Sequence, residues 1–582
     1  MRLNSRLSTS CALLLAAAAT ALAQPRTVAP DRAAILTPFE RDTLASASYG
    51  EAIAFYRVLA KAYPDHCRLD TLGATDSGEL LYHFTIGQAD GAAPEHTFFV
   101  NNGIHAGEPC GVDASMLLAR DYLASGRVLP KGYRVSIIPA YNVGGMLRRG
   151  QDTRANQVGP RAHGFRGNAR NLDLNRDFLK QDSRNARLLT GLLAELRPDV
   201  FVDTHTTNGA DYAYALTVIA TQPEKLGPVL GDYMRAELLP ALYGGMAERG
   251  HLVSPYVYSD GVPQEAGLRP FIESGRYSSG YAALHHGLAF ITEAHMLKPF
   301  ATRVRATESF LQTALAFWLA HAEQIAEARA ANAAQLFASD TVALSWRVDS
   351  TRADTVAFRG YTPVREPSRV TGAERLRYDR TRPTTTPTVY HAYAAPDRRT
   401  TPPRGYVVPL AYRHLLERPD LAQLTRPVPY DASVHGPLER ARVLDFATSP
   451  RAYEGHHLHY DLAVDYVPDT LRPGERALYV ALTPDNAQLL LALFEPQAPD
   501  SFFAWGAFDA QLQQKEHYSA YVFEETAAAL LDGDAQLRAE FAARKASDEA
   551  FRQNPRAQLD FLYARSEHYE GVRRNPVLRV AR

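Results

Sequence analysis

Four short strings in this 582-residue chain contain the residue types that do chemistry: His105-Ala106-Gly107-Glu108, Asn171-Leu172-Asp173-Leu174-Asn175-Arg176, Asp203-Thr204-His205-Thr206 and Ile291-Thr292-Glu293-Ala294. Two histidines and a glutamate (His105, His205 and Glu108) can hold one zinc ion and leave its fourth position open. That open position separates a catalytic zinc from a structural one. A second glutamate, Glu293, can then serve as base toward a metal-activated water. Any one string is weak, since an HxxE pair arises by chance in a chain this long. The signal lies in their combination and order.

These side chains need elements that aim them. His96–Val100 reads as a strand that ends at the Asn101-Asn102-Gly103 turn, directly before the HxxE pair. Gly103 and Gly107 are expected to supply backbone angles that other residues avoid. Apolar spacing turns helical from Asp113 to Tyr122. Val200–Val202 is an apolar strand running into His205, and Leu288–Thr292 is another delivering Glu293. A carboxylate at the end of an apolar strand is expensive unless it serves a site or an ion pair.

Upstream, residues 38–62 have apolar positions at helical spacing, and Cys67–Gly87 alternates about an Asp76-Ser77-Gly78 turn as two antiparallel strands. Tyr133–Pro139 reads as a strand. Asn185–Leu196 is a helix stopped by Pro198, and Arg303–Asn332 is a long alanine-rich helix. Alternating strands and helices of this kind predict an α/β domain with a mixed sheet and helices on both faces, over residues 38–332. Residues 340–582 form a β-rich and then helical region: strand-like pieces at 340–405, more short strands at 440–500, and helical spacing at 520–570 broken by Asn554-Pro555. His456, His457 and His459 there are read as surface residues rather than ligands.

The composition is globular, at 46% hydrophobic and 22% charged. A formal charge of -1 gives no reason to expect nucleic acid or an anionic membrane as a partner. Arg2 and Arg6, the apolar run Cys11–Leu22 and Ala21-Leu22-Ala23 have the form of a signal peptide, residues 1–23, cleaved before Gln24. The run is too short to span a bilayer, and Cys11 opens it rather than following it, so no membrane anchor is expected. The expectation is an exported protein, periplasmic or extracellular. Cys67 and Cys110 then remain; the sequence leaves open whether they pair.

The order HxxE, LNR, strand-end histidine, strand-end glutamate resembles the zinc metallocarboxypeptidases (funnelins), over about residues 45–320. Ala498-Pro499-Asp500-Ser501-Phe502-Phe503 and Gln514-Lys515-Glu516 resemble the long bacterial secreted members. The resemblance implies one zinc per chain on His105, Glu108 and His205. Asp173 is then the carboxylate bonded to the first zinc histidine, and Asn175 and Arg176 grip the terminal carboxylate of a peptide. A guanidinium fork suits a carboxylate bidentately. Glu293 is the implied base and acid. An oxyanion-stabilising arginine is implied among Arg148, Arg149 and Arg154, with Arg154 best spaced. A mobile tyrosine is implied at Tyr277 or Tyr281, with Tyr277 preferred.

The function implied is a zinc-dependent exopeptidase that removes C-terminal residues from peptides with a free carboxylate. A related zinc amidase acting on cell-wall peptides or N-acyl amino acids is the nearest alternative. Others are an inactive peptidase-fold binding protein and a C-terminal half acting as a binding module. The preferred C-terminal residue and the oligomeric state are not legible in the sequence.

Overall fold

A computed structural model describes residues 35–87 and 94–582; the expected signal segment 1–23 lies outside the described residues. Eight strands form one mixed sheet: β1 (Cys67–Ala74), β2 (Leu80–Ile86), β3 (His96–Asn102), β4 (Tyr133–Ile138), β5 (Val200–Thr207), β6 (Leu216–Ala220), β7 (Val253–Pro255) and β8 (Leu288–His295), in the order β1-β2-β4-β3-β5-β8-β6-β7. The central pairs β4–β3, β3–β5 and β5–β8 are parallel, while β1–β2, β2–β4 and β6–β8 are antiparallel. Parallel strands are buried on both faces. Accordingly every residue of β3 and β5 is buried, including the polar ends that carry the chemistry.

The helices that cover this sheet include α1 (Tyr49–Ala62), α2 (Cys110–Ala124), α3 (Arg184–Leu196), α4 (Ser278–Leu284) and α5 (Phe300–Ala338). A capping box of Ser48 and Glu51 starts α1. Helix α5 extends past the expected 303–332 at both ends and buries Trp318, whose indole N–H donates to Asp199 Oδ2 at 3.1 Å. Among the described residues no helix is long and apolar enough to cross a membrane. Cys67 and Cys110 are both buried and unpaired.

Strand parity divides the core in two. Val100, Val202 and Phe290 face α2 and α5, packing with Leu117 and Trp318. Phe99, Phe201 and Ala289 face the other way, into a cluster shared with Leu189 and Leu193 of α3, Tyr281 of α4, and Tyr406, Leu489 and Phe494 from the C-terminal half. Asp203, His205 and Glu293 have the parity of Phe201 and Ala289, so they lie on the face that the C-terminal half covers.

That half contains the paired strands β9 (Val342–Val348) and β12 (Ala394–Thr400), and the long hairpin of β10 (Asp354–Pro367) with β11 (Glu374–Tyr390). A six-stranded sheet follows, built from β13 (Gly405–Pro409), β14 (Val428–Pro429), β15 (Leu438–Thr448), β16 (His459–Asp469), β17 (Ala477–Ala481) and β18 (Arg574–Val580), in the order β14-β17-β13-β18-β15-β16. Two features depart from expectation. Residues Ala487–Phe494, within the stretch read as strands, form a buried helix, because a short apolar run has no period to separate the two states. The chain end returns as β18 between β13 and β15, so the helical stretch Ala520–Tyr563 is an insertion in this sheet with its own small core of Phe523, Leu537, Phe551 and Phe561.

Candidate metal centre and substrate site

After β3 the chain turns at Gly103, whose φ of +65° is a left-handed angle that glycine adopts without strain. His105 and Glu108 follow in one tight turn closed by the Glu108 N–H to His105 carbonyl bond (2.9 Å). Gly107 does not have the unusual backbone angle expected of it. A Cβ there would sit 2.8 Å from Arg154 Cδ and 3.1 Å from the Gly164 carbonyl, so space rather than torsion requires glycine.

Three side chains converge. His105 Nδ1 lies 3.1 Å from His205 Nδ1 and 3.3 Å from Glu108 Oε1, and His205 Nδ1 lies 3.2 Å from Glu108 Oε2. The opposite ring nitrogens are tied down: His105 Nε2 to Asp173 Oδ1 and His205 Nε2 to Asp203 Oδ2, each at 3.0 Å. When each Nε2–H donates to its carboxylate, both Nδ1 lone pairs point at one another and at a carboxylate. Such a crowd of donors is stable around a cation, and its two imidazoles and carboxylate suit zinc. All three residues are at most 3% exposed, and they form a group able to hold a metal ion. Burial opposes charge on Glu108, yet His105 and Arg154 outweigh it and hold the carboxyl well below its ordinary range. Burial likewise opposes charge on His205, but Asp203 and Glu108 hold it well above the ordinary imidazole value. The pocket favours positive charge.

Asp173 also caps the turn that bears Asn175 and Arg176, with Oδ1 accepting from the Asn175 N–H at 2.9 Å. Asp203 was not assigned a role from sequence. Its signal was its place two residues before His205 on one strand face, and Asn101 Nδ2 steadies it with a 3.0 Å bond to Oδ1.

Glu293 stands beside His205, its registered partner across β5–β8. Burial pushes its carboxyl up to about 7, with His205 pulling it down and Glu108 pushing it further up. Tyr256, which sequence reasoning missed, lies near this group. Thr207 Oγ1 donates to its hydroxyl at 3.2 Å, and burial, with the charges of Glu293 and Glu108, pushes the phenol up to about 12. No local pattern marks it.

The arginines differ from the spacing argument. Arg154 braces Glu108: Nη1 donates to Glu108 Oε1 and Nη2 to the Thr206 carbonyl, both at 2.8 Å. Its guanidinium is committed to holding a ligand residue. Arg148 stacks over Phe165 at 4.1 Å, and Arg149 bonds the Ser46 carbonyl. Arg166, not singled out from sequence, lies over the convergent atoms: Nη1 is 3.3 Å from His105 Nδ1 and 3.5 Å from Glu108 Oε1, while Nε and Nη2 hold Asp173 Oδ2 at 3.0 and 2.8 Å. Its side chain is 45% exposed, so it can meet a ligand.

Arg176 and Asn175 form a second cluster with the 276–278 segment. The Arg176 guanidinium lies 4.4 Å from the Tyr277 ring centre, and Asn175 Oδ1 accepts from the Ser278 N–H at 2.9 Å. Tyr281 is buried instead, its hydroxyl donating to Asp420 Oδ2 at 2.9 Å. His456, His457 and His459 lie elsewhere, each with its own partner.

Residues 52–190 match the family model of the zinc carboxypeptidases (Peptidase_M14). The matched segment includes His105, Glu108, Asp173, Asn175 and Arg176; His205 and Glu293 lie beyond it. No curated protein matches the chain. Similar solved structures include a metallo-carboxypeptidase from Burkholderia cenocepacia (16% identity, 48% of this chain and 70% of that one, TM-score 0.35). Another is a metallo-carboxypeptidase from Pseudomonas aeruginosa in complex with (2-guanidinoethylmercapto)succinic acid (15% identity, 48% and 70%, TM-score 0.36). A third is the carboxypeptidase A from Helicoverpa armigera (15% identity, 49% and 77%, TM-score 0.35). Residues 52–190 are thus similar to the zinc carboxypeptidases, and they supply His105 and Glu108 of the His–Glu–His cluster that could hold a metal ion.

Proposed function

We propose that this protein is an exported zinc exopeptidase that releases C-terminal residues from peptides bearing a free carboxylate. The observation that carries the reading is the convergence of His105, His205 and Glu108 beside a second, half-buried glutamate, Glu293. His105, Glu108 and His205 would hold the zinc, which when bound supplies Lewis acidity toward a carbonyl and a water. Asp173 and Asp203 set the imidazole tautomers, keeping each Nδ1 free to ligate.

Glu293 in its ionised form accepts a proton from water and returns it to the leaving amine. A carboxyl near pH 7 suits both halves of that transfer. Arg166, exposed above the ligand atoms, supplies positive charge where the tetrahedral oxyanion develops. Arg176 binds the terminal carboxylate through its fork, with Asn175 as second contact and Tyr277 as the wall against which the guanidinium stacks.

The test is product analysis on matched peptides with free and amidated C-termini, with and without chelation. Release of single C-terminal residues from the free acids alone, lost on chelation and regained with zinc, is the expected result. Internal cleavage, or equal use of both peptides, overturns it. Cell-wall peptides in the same panel separate the amidase alternative. Export rests on the Arg2–Ala23 pattern; a mature chain beginning at Gln24 is the expected N-terminal sequence.

A further inference from the structure

The string Ala498-Pro499-Asp500-Ser501-Phe502-Phe503 has no place in that chemistry, yet it reaches the substrate site. Asp500 is 2% exposed and accepts two hydrogen bonds from Arg276: the backbone N–H at Oδ2 (2.9 Å) and Nε at Oδ1 (2.6 Å). The Arg276 guanidinium stacks on Trp505 at 4.9 Å and lies 5.7 Å from the Tyr453 ring centre. On its other side, the Arg276 carbonyl accepts from the Phe178 N–H at 3.4 Å, two residues past Arg176. The next two residues then make the contacts already described, Tyr277 with Arg176 and the Ser278 N–H with Asn175. Residues 276–278 are therefore clamped between the Asn175–Phe178 turn and Asp500.

A further contact from the C-terminal half meets that turn directly. Glu454 Oε2 accepts the Asp173 N–H at 2.8 Å from a residue in the left-handed region (φ +50°), and His456 Nε2 pairs with Asp182 Oδ2 at 2.7 Å in the same loop. Two separate loops of the C-terminal half thus act on the short stretch that carries Asp173, Asn175 and Arg176, Glu454 directly and Asp500 through Arg276.

We propose that Asp500 is a positioning residue for recognition of the substrate's terminal carboxylate. It holds Arg276, and through Arg276 it sets Tyr277 and Asn175 against Arg176. The C-terminal half thereby completes the N-terminal domain's substrate site. This rests on the reading that Asn175 and Arg176 receive that carboxylate. Metal binding is separate from it, because no atom of Asp500 or Arg276 touches His105, Glu108 or His205.

The experiment uses the full-length zinc-loaded protein and Asp500→Asn, which keeps the side-chain shape but replaces one acceptor oxygen with a donor. The expected result is a KM for free-acid peptides raised about tenfold, the size of one hydrogen bond to a charged group. The kcat changes less than about threefold on the same scale, and zinc affinity by chelator competition is unchanged. A double-mutant cycle with Arg276→Gln shows whether Asp500 acts through Arg276: the two KM effects are then non-additive. If Asp500→Asn does not fold, Arg276→Lys keeps a cation against Asp500 and carries the same comparison. An unchanged KM in a folded variant, a fall in kcat alone, parallel loss of zinc affinity, or additive effects in the cycle overturns the inference. Equal cleavage of free and amidated peptides by the wild type overturns the carboxylate reading, and the inference with it; discrimination by the wild type with an unchanged KM in Asp500→Asn overturns the inference alone.

Discussion

The His456–His459 cluster and the His105/His205 pair contrast sharply, and the one that is closer in sequence is the poorer site. His456, His457 and His459 lie within four residues, yet their rings face four different partners. His456 Nε2 meets Asp182 at 2.7 Å, His457 Nδ1 meets the Ser449 carbonyl at 2.9 Å, and His459 spans Thr448 Oγ1 and Asp509 Oδ1, each at 2.8 Å. His105 and His205 are a hundred residues apart and present their Nδ1 atoms to each other and to Glu108. Among the described residues only this second group could hold a metal ion. What makes it a site is lone-pair convergence enforced from behind by Asp173 and Asp203, in a buried pocket where an uncompensated crowd of donors is costly.

Removing a converging ring has the largest expected effect. Wild-type protein is expected to carry about one zinc per chain. His105→Ala and His205→Ala are each expected to lose most of it, by metal analysis after dialysis, and activity with it. Full zinc retention in both variants would falsify the ligand set.

Next in size is Glu293→Gln, which keeps shape and removes the base. Loss of general acid–base catalysis typically costs on the order of 10²–10⁴-fold, so kcat is expected to fall that far while zinc stays bound. Near-normal turnover would mean that another group activates water.

Arg176→Ala comes third. Its kcat/KM on free-acid peptides is expected to drop about 10–100-fold, the scale of a lost charged hydrogen bond, with little change on amidated ones. Arg176→Lys recovers part, since a point charge lacks the fork. A variant that loses both substrates in parallel has lost its fold rather than its grip.

A smaller, graded effect is expected with pH. Glu293 is raised from an ordinary 4.5 to about 7, so its protonated form persists to higher pH than for an exposed glutamate. The base is therefore present above that value and lost as pH falls through it. A bound cation draws the value back down, placing the acid limb of kcat/KM between 4.5 and about 7. A profile flat to below pH 4.5 would remove Glu293 as the base.

The smallest effect completes the comparison. Alanine at His456, His457 or His459 is expected to leave zinc content unchanged. Loss of zinc from any of them would mean that convergence is not the criterion.

Much of the site was legible because its constraints are local. An i, i+3 pair in a strand–turn–helix setting places His105 and Glu108 together. Asp173, Asn175 and Arg176 share one short turn, and two adjacent parallel strands deliver His205 and Glu293 to paired positions. The central strands announced themselves as continuous apolar runs because both their faces are buried.

Other parts depended on approach between distant segments. Arg154 had the better spacing, but the fold turns it onto Glu108 and leaves Arg166 over the ligand atoms; both are arginines in one irregular stretch, and only the path of the loop separates them. Tyr256 reaches Thr207 from outside every motif. The helix Ala487–Phe494 and the strand β18 took their states from the core they fill, where burial overrides a weak local pattern. Which residues could hold a metal ion was readable from the chain alone, since that follows from side-chain chemistry and short-range spacing. That the C-terminal half lies on the face bearing His205 and Glu293, with Asp500 bonded to Arg276 and Glu454 to Asp173, came from the tertiary fold, because those contacts join residues more than two hundred apart and no local rule encodes them.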